Sequence, residues 1–222
     1  MSETSLPLPL LIWLSPAFPI GAFAYSHGLE WAVEAGDIDD GASLRLWLED
    51  LTRHGSLRND ALLLAAAWRA APHDGELDAI NALALALAPS AERYLEISAQ
   101  GNAFARAVAQ AWPCPALERL AARDVAYSVG LGVAAAETAI ALEATLAGFA
   151  LAAHGNLISA ALRLGTIGQS EALTLTAALL PGLQELARFA ADATLDDLGG
   201  CAFRSDIASL RHETQYSRLF RS

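Results

Sequence analysis

In Leu44-Arg45-Leu46-Trp47-Leu48-Glu49-Asp50-Leu51 the side chains Leu44, Trp47, Leu48 and Leu51 recur at i, i+3, i+4 and i+7, the period of one buried helix face. Leu77, Ile80, Leu83 and Leu87 repeat the helical spacing, and no comparable period-two stretch marks a strand. Outward from these segments, Ala and Leu dominate while Val and Ile are sparse, a bias toward helix and away from sheet. Stop signals fall at Ser15-Pro16, Gly36, Asn59-Asp60, Pro72, Pro89-Ser90, Trp112-Pro113, Gly155, Gly168 and Pro181-Gly182. Helices of ordinary length between such stops number roughly nine or ten. The expectation is an all-α, single, compact bundle-like domain over residues 1–222. Within it, residues 195–222 form a loose segment, Leu195 to Phe203 with its Asp196-Asp197 and Gly199-Gly200 pairs, followed by an interaction tail.

The chain has 222 residues, 54% hydrophobic and 18% charged, enough to bury a core without disulfides or metals. Its 14 basic residues are all Arg, which excludes Schiff-base chemistry and a P-loop lysine, and with them nucleotide hydrolysis of the P-loop kind. Against 25 acids the net charge is −11, which disfavours a nucleic-acid partner. Cys114 and Cys201 fit neither C-x-x-C nor zinc spacing, so a reducing, cytoplasmic setting is expected. The apolar stretch Leu6 to Leu14 resembles a signal peptide but has only Glu3 as a nearby charge and is broken by Pro7 and Pro9, so it reads as mature sequence. Val125 to Ala153 lacks Arg, yet Glu137 and Glu143 inside it would each cost roughly 2.5–3.5 kcal/mol at a bilayer centre. A buried helix pair is the better reading, and no membrane partner is expected.

Three catalytic near-matches fail on context. Gly130-Leu131-Gly132 resembles a dinucleotide fingerprint without the strand before it or the acid after it, so small residues for close helix packing are expected instead. Ala24-Tyr25-Ser26-His27-Gly28 falls one residue short of a nucleophile elbow, an idea that would need Ser26 exposed on an α/β sheet. His212-Glu213 opens an H-E-x-x-H zinc motif, but position 216 is Tyr. No enzyme is expected, and with the five histidines scattered no metal is expected to be held tightly. His27 and Glu30, one helical turn apart, are expected to share a face and, with His212, are the candidates for transient contact with a metal in transit.

The run Arg211-His212-Glu213-Thr214-Gln215-Tyr216-Ser217-Arg218-Leu219-Phe220-Arg221-Ser222 mixes Arg with aromatics and Leu, the residues that anchor protein interfaces. It is expected to dock either on its own domain or on a partner, and to order on partner binding. Its removal is expected to leave the helical domain folded.

Ser15-Pro16-Ala17-Phe18-Pro19-Ile20-Gly21-Ala22-Phe23-Ala24-Tyr25-Ser26-His27-Gly28-Leu29-Glu30 resembles the opening signature of the urease accessory protein UreF family. Asp206 to Ser222 resembles the family's closing signature, and Asn156 to Ala161 with Arg163 and Gly168-Gln169 its inner helix and following turn. The chain departs from the family pattern in carrying Arg163 in place of Lys, and Glu171-Ala172 in place of a further Gly-Gln. The resemblance implies a helical, non-enzymatic chaperone that forms a homodimer and joins UreD, also called UreH. That complex recruits the GTPase UreG and delivers Ni²⁺ to apo-urease. It further implies partner-binding roles for Phe23, Tyr25, Arg163, Gln169, Arg211, His212, Glu213, Tyr216, Arg218, Leu219 and Phe220. An alternative reading makes the chain chiefly a regulator of the UreG GTPase, with a surface Arg such as Arg163 acting on it.

Overall fold

The computed structural model describes residues 7–222; Glu3 and Leu6 of the apolar N-terminal stretch lie outside the described residues. The described residues form eleven α-helices and two 3₁₀ turns, and no strand. In chain order these are α1 (Leu8–Trp13), α2 (Leu29–Glu34), α3 (Gly41–Arg53), α4 (Ser56–Ala70), α5 (Asp74–Ala86) and α6 (Ala91–Ala109). They continue with α7 (Pro115–Leu120), α8 (Tyr127–Glu137), α9 (Leu142–Leu164), α10 (Gln169–Asp192) and α11 (Phe203–His212). The all-α expectation holds, with short α1, α2 and α7 raising the helix number.

Local chemistry sets the ends. Asp40 caps α3 through a reciprocal box with Ser43, and the Ser90 hydroxyl accepts the Arg93 N–H at 3.1 Å to start α6. Gly165, at φ 77°, ends α9 in the left-handed conformation that side chains other than glycine's resist. Three expected stops lie inside helices: Asn59-Asp60 in α4, Gly155 in α9 and Pro181-Gly182 in α10. Each helix continues because the residues around the weak point are buried, as Leu179, Leu183 and Leu186 are around Pro181.

Two apolar clusters make the core. One gathers α1, α4, α5, α7, α8 and parts of α6, α9 and α10 around Trp13, Leu63, Leu64, Phe104 and Leu131. The other joins α2, α3 and α11 to Leu157, Ile158, Ala161, Leu175 and Leu179 of the long helices, and includes Phe220. Helices α9 and α10 thus run through both. By length and composition α9 could cross a bilayer, but half of its apolar window is buried against neighbours, as in a core helix. Gly132 explains the glycine pair in α8, since a Cβ there would lie 2.5 Å from the Leu64 carbonyl oxygen on α4.

The segment expected to be loose is pinned. Leu195–Asp197 forms a 3₁₀ turn capped by Thr194, and Arg58 of α4 donates to the carbonyl oxygens of Asp197 (2.9 Å) and Gly199 (3.2 Å). Acid and glycine pairs suggested looseness, but the Arg58 guanidinium, reaching from α4 through one nitrogen to two carbonyl oxygens, supplies hydrogen bonds that the sequence window lacks.

Candidate functional site

The two end blocks of the chain meet. Helix α11 packs on α2 at Gly28, where φ is 77° and an added Cβ would lie 2.7 Å from the Ser209 nitrogen. That close approach seats His212, whose side chain is fully buried between two carboxylates. Its Nδ1 lies 2.6 Å from Glu92 Oε2 and its Nε2 3.1 Å from Glu30 Oε2, so each ring nitrogen has a carboxylate partner.

Beyond a short turn the chain runs back along this acidic groove. Arg218 Nη1 donates to Glu92 Oε1 at 2.8 Å. The main-chain N–H groups of Leu219 and Phe220 donate to Glu30 Oε1 (2.6 Å) and Oε2 (2.9 Å). Arg221 N–H donates to the Ala24 carbonyl oxygen at 2.8 Å, and Ser26 N–H donates to the Ser222 oxygen at 2.7 Å. The Ser222 hydroxyl donates to Glu96 Oε2 at 2.9 Å. Phe220 enters the second core cluster, with the Arg163 guanidinium 4.0 Å from its ring centroid. Of the two destinations expected for the tail, the structure has the tail's own domain.

Under the tail lies a second polar layer. Arg93, buried on α6, is in ion-pair contact with Glu96, 3.8 Å from Asp60, and its Nε has no hydrogen-bond partner among the described residues. Burial alone would raise the Glu96 carboxyl, but Arg93 and the Ser222 hydroxyl outweigh it and hold the group below its ordinary range. Burial, aided by the Arg93 charge, pulls His27 down to about 3, and burial outweighs Arg93 at Asp60 to push that carboxyl up to about 6. His27 and Asp60 also line a cavity of about 450 Å³ walled by Trp13, Phe18, Tyr127 and Phe149.

His27 and Glu30 do not share a face. His27 sits at φ 60° before α2 begins, and its Nε2 pairs with Ser56 Oγ at 2.7 Å, whereas Glu30 faces His212 and the tail. The left-handed turn at His27-Gly28 breaks the helical register that the sequence spacing assumes. The nitrogens of His212 point to carboxylates on opposite sides, and among the described residues no three His, Cys, Asp or Glu side chains gather to hold a metal ion. Ser26 is fully buried and its hydroxyl donates to the Ser222 oxygen, so it is no exposed nucleophile. Removing the tail would also strip Phe220 and His212 from buried positions, a loss that the expectation of a domain left folded without the tail did not include.

The expected partner residues divide in two. Tyr25, Arg163, His212, Arg218 and Phe220 build the groove and its seal; Glu213 accepts the Ala91 N–H at 2.9 Å. Phe23, Tyr216 and Leu219 face outward, at 69%, 105% and 62% exposure, and Arg211 is exposed beside them in sequence. Gln169 is exposed at the start of α10 and makes no side-chain hydrogen bond among the described residues. Glu92, Arg93 and Glu96 were not singled out from the sequence, where the run Ser90 to Glu96 has the look of an ordinary capped, solvated helix start.

A UreF family model matches residues 38–180. The chain is 53% identical to the urease accessory protein UreF of Methylorubrum populi over 220 residues, covering 97% of this chain and 98% of that one. It is 54% identical to the UreF of Mesorhizobium japonicum over 215 residues, 97% of this chain and 96% of the relative. The chain belongs to the UreF family. The matched UreF region contains Glu92, Glu96 and Arg163, while Tyr25, Glu30 and the tail from His212 lie outside it and are spanned by the UreF of Methylobacterium radiotolerans, 54% identical over 226 residues that cover 100% of this chain and 99% of that one.

Proposed function

We propose that this UreF-family chain is a nickel-insertion chaperone that acts with UreD (UreH) and the GTPase UreG to mature apo-urease. It is not itself an enzyme: the GTP chemistry belongs to UreG, and Ni²⁺ passes as cargo without being tightly held. The observation that carries this reading is the docked tail. A backbone fixed by Glu30, Ala24 and Ser26 over residues 219–222 presents Leu219 to solvent, with Tyr216 fully exposed three residues before it, which suits aliphatic and aromatic anchors awaiting a protein partner. The reading places the chain in the cytoplasm as a homodimer, with UreD meeting the tail face.

The alternative, a regulator of UreG acting through Arg163, has less support, because that guanidinium already lies on the Phe220 ring. Reconstitution of apo-urease with UreD and UreG, with and without this chain, tests the proposal. Urease nickel content and GTP turnover are measured together. Nickel loading that depends on the chain at unchanged GTP turnover supports the chaperone, and loading that needs no chain defeats it.

A further inference from the structure

The cavity of about 450 Å³ beside the buried polar layer is large for a packing defect: it is about three times the roughly 150 Å³ in which an apolar protein cavity holds benzene. It falls in the range of small-molecule sites, about 300–1,000 Å³. Trp13, Phe18, Tyr127 and Phe149 give it an aromatic body, and Arg93 with Glu96 and Asp60 a polar cluster. One wall is the turn segment between α1 and α2, whose Pro16, Ala17 and Pro19 are exposed. Within it the N–H groups of Phe18 and Ile20 donate to the carbonyl oxygens of Ser15 and Phe18, not to the helical body. The cavity thus reaches the surface through a wall that no helix hydrogen bond crosses.

The hydrogen-bond account of the lining is one-sided. Glu96 is already served by Arg93, by the Ser222 hydroxyl at 2.9 Å and by Gln100 Nε2 at 3.4 Å, and Asp60 by Arg93 and the Ser128 hydroxyl. Among the described residues, the buried polar atoms on the lining that lack a hydrogen-bond partner belong to two donors, the Trp13 indole and the Arg93 guanidinium. Trp13 is 0% and Arg93 4% exposed, so each buried N–H asks for an acceptor. An anion is a poor answer, because two acids already stand beside the one guanidinium and like charges repel. A metal ion is none, because an N–H group offers it no lone pair. What matches is an uncharged oxygen acceptor carried on an apolar body that the aromatic walls can enclose.

We propose that this cavity binds a small neutral organic molecule, its ring-containing body lying among Trp13, Phe18, Tyr127 and Phe149 and its carbonyl-type oxygen accepting from the Arg93 guanidinium. Such binding is independent of the reading in urease maturation, since it needs neither UreD nor nickel.

The test titrates the isotope-labelled full-length chain with naphthalene carboxamide, two fused rings bearing an uncharged carbonyl, and reads the Trp13 Nε1–H and Arg93 Nε–H signals by NMR. Naphthalene, without an acceptor, and naphthoate, with a charged one, are the comparisons. The amide should shift both signals saturably. Naphthalene should bind about ten- to hundredfold more weakly, as loss of a hydrogen bond to a charged donor requires, and naphthoate at least about tenfold more weakly. The proposal is overturned by no saturable shift at either signal, by naphthalene binding as tightly as the amide, or by naphthoate binding as tightly or more so. Ile97→Phe enlarges a wall residue of the cavity and should weaken the amide about tenfold or more. Unchanged affinity in that variant, folded by circular dichroism, would put the amide elsewhere and overturn the site. Ala152→Leu, on the α9 wall, takes its place with the same expectation if Ile97→Phe does not fold.

Discussion

Glu30 accepts the main-chain N–H of Phe220 at 2.9 Å across a separation of 190 residues, and its other oxygen accepts the N–H of Leu219 at 2.6 Å. A carboxylate can serve two N–H donors and His212 at once; an amide at that position has a single acceptor oxygen and turns an NH₂ toward the remaining donors. Glu30→Gln should therefore unfasten the tail, with hydrogen exchange at residues 219 and 220 accelerating about ten- to hundredfold as charge-assisted bonds are lost. Core amides of α4 and α8 should keep their protection. Unchanged exchange at 219 and 220 would show that Glu30 is not the anchor.

Phe220 is sealed between the second core cluster and Arg163, so both faces of the ring are in use. Phe220→Ala should cost about 3–5 kcal/mol where the tail stays docked, and less to the extent that it lifts away and takes up water. Arg163→Ala should cost about 0.5–1 kcal/mol through the lost cation–π contact, and Arg163→Lys part of that, because an ammonium does not lie flat on a ring. Urea unfolding midpoints measure all three. In reconstitution the Arg163 variants should lower nickel loading through the tail; a change in UreG turnover with the tail still protected would instead favour the regulator.

Much of the helix content was readable because Leu44, Trp47, Leu48 and Leu51 repeat with the helical period and are buried as that period requires. The stops at Asn59-Asp60, Gly155 and Pro181-Gly182 misled because turn preference is a local term of about 1–3 kcal/mol, and burial of neighbours such as Leu62, Leu63 and Leu64 exceeds it. The end blocks were each visible as signatures, but their meeting is a contact between residues at opposite ends of the chain that no local pattern encodes. Glu92 and Glu96 stayed hidden for the same reason: acids near a helix start normally face water, and here residues from the far end of the chain lie over both, with His27 also beside Glu96.

The paired glycines of α8 separate backbone from side-chain crowding. A Cβ at Gly132 would lie 2.5 Å from the Leu64 carbonyl oxygen, a main-chain atom that cannot move without shifting α4, whereas one at Gly130 would meet the Val125 Cγ1 at 3.2 Å. Replacing helical Gly by Ala gains about 1 kcal/mol in helix propensity. Gly130→Ala should then be near neutral, and Gly132→Ala should destabilise by about 1–3 kcal/mol net, as overpacking does. Thermal unfolding of the two variants checks this, and equal melting temperatures would mean that α8 and α4 can slide apart at little cost.

His27 and Asp60 give acid stability an unusual shape because their shifts oppose each other. His27 falls from 6.5 to about 3, so between those values the unfolded chain binds a proton that the folded chain refuses, and stability drops as pH falls. Asp60 rises from 3.8 to about 6, so across that span the folded chain is the better proton binder, and stability drops as pH rises. Between pH 3.8 and 6 the two contributions largely cancel. Asp60→Asn removes the second and should expose the first: the folding constant should then weaken by up to about tenfold per unit of falling pH through that window. Above pH 6 the same variant should be at least as stable as the parent, since it no longer buries a charge whose desolvation outweighs the help of Arg93. His27→Gln should do the reverse, leaving a chain that grows more stable from pH 6 down to 3.8. Urea midpoints of parent and variants from pH 3.5 to 7.5 give the three slopes, and a parent-like slope in Asp60→Asn would show that its carboxyl is not the group opposing His27.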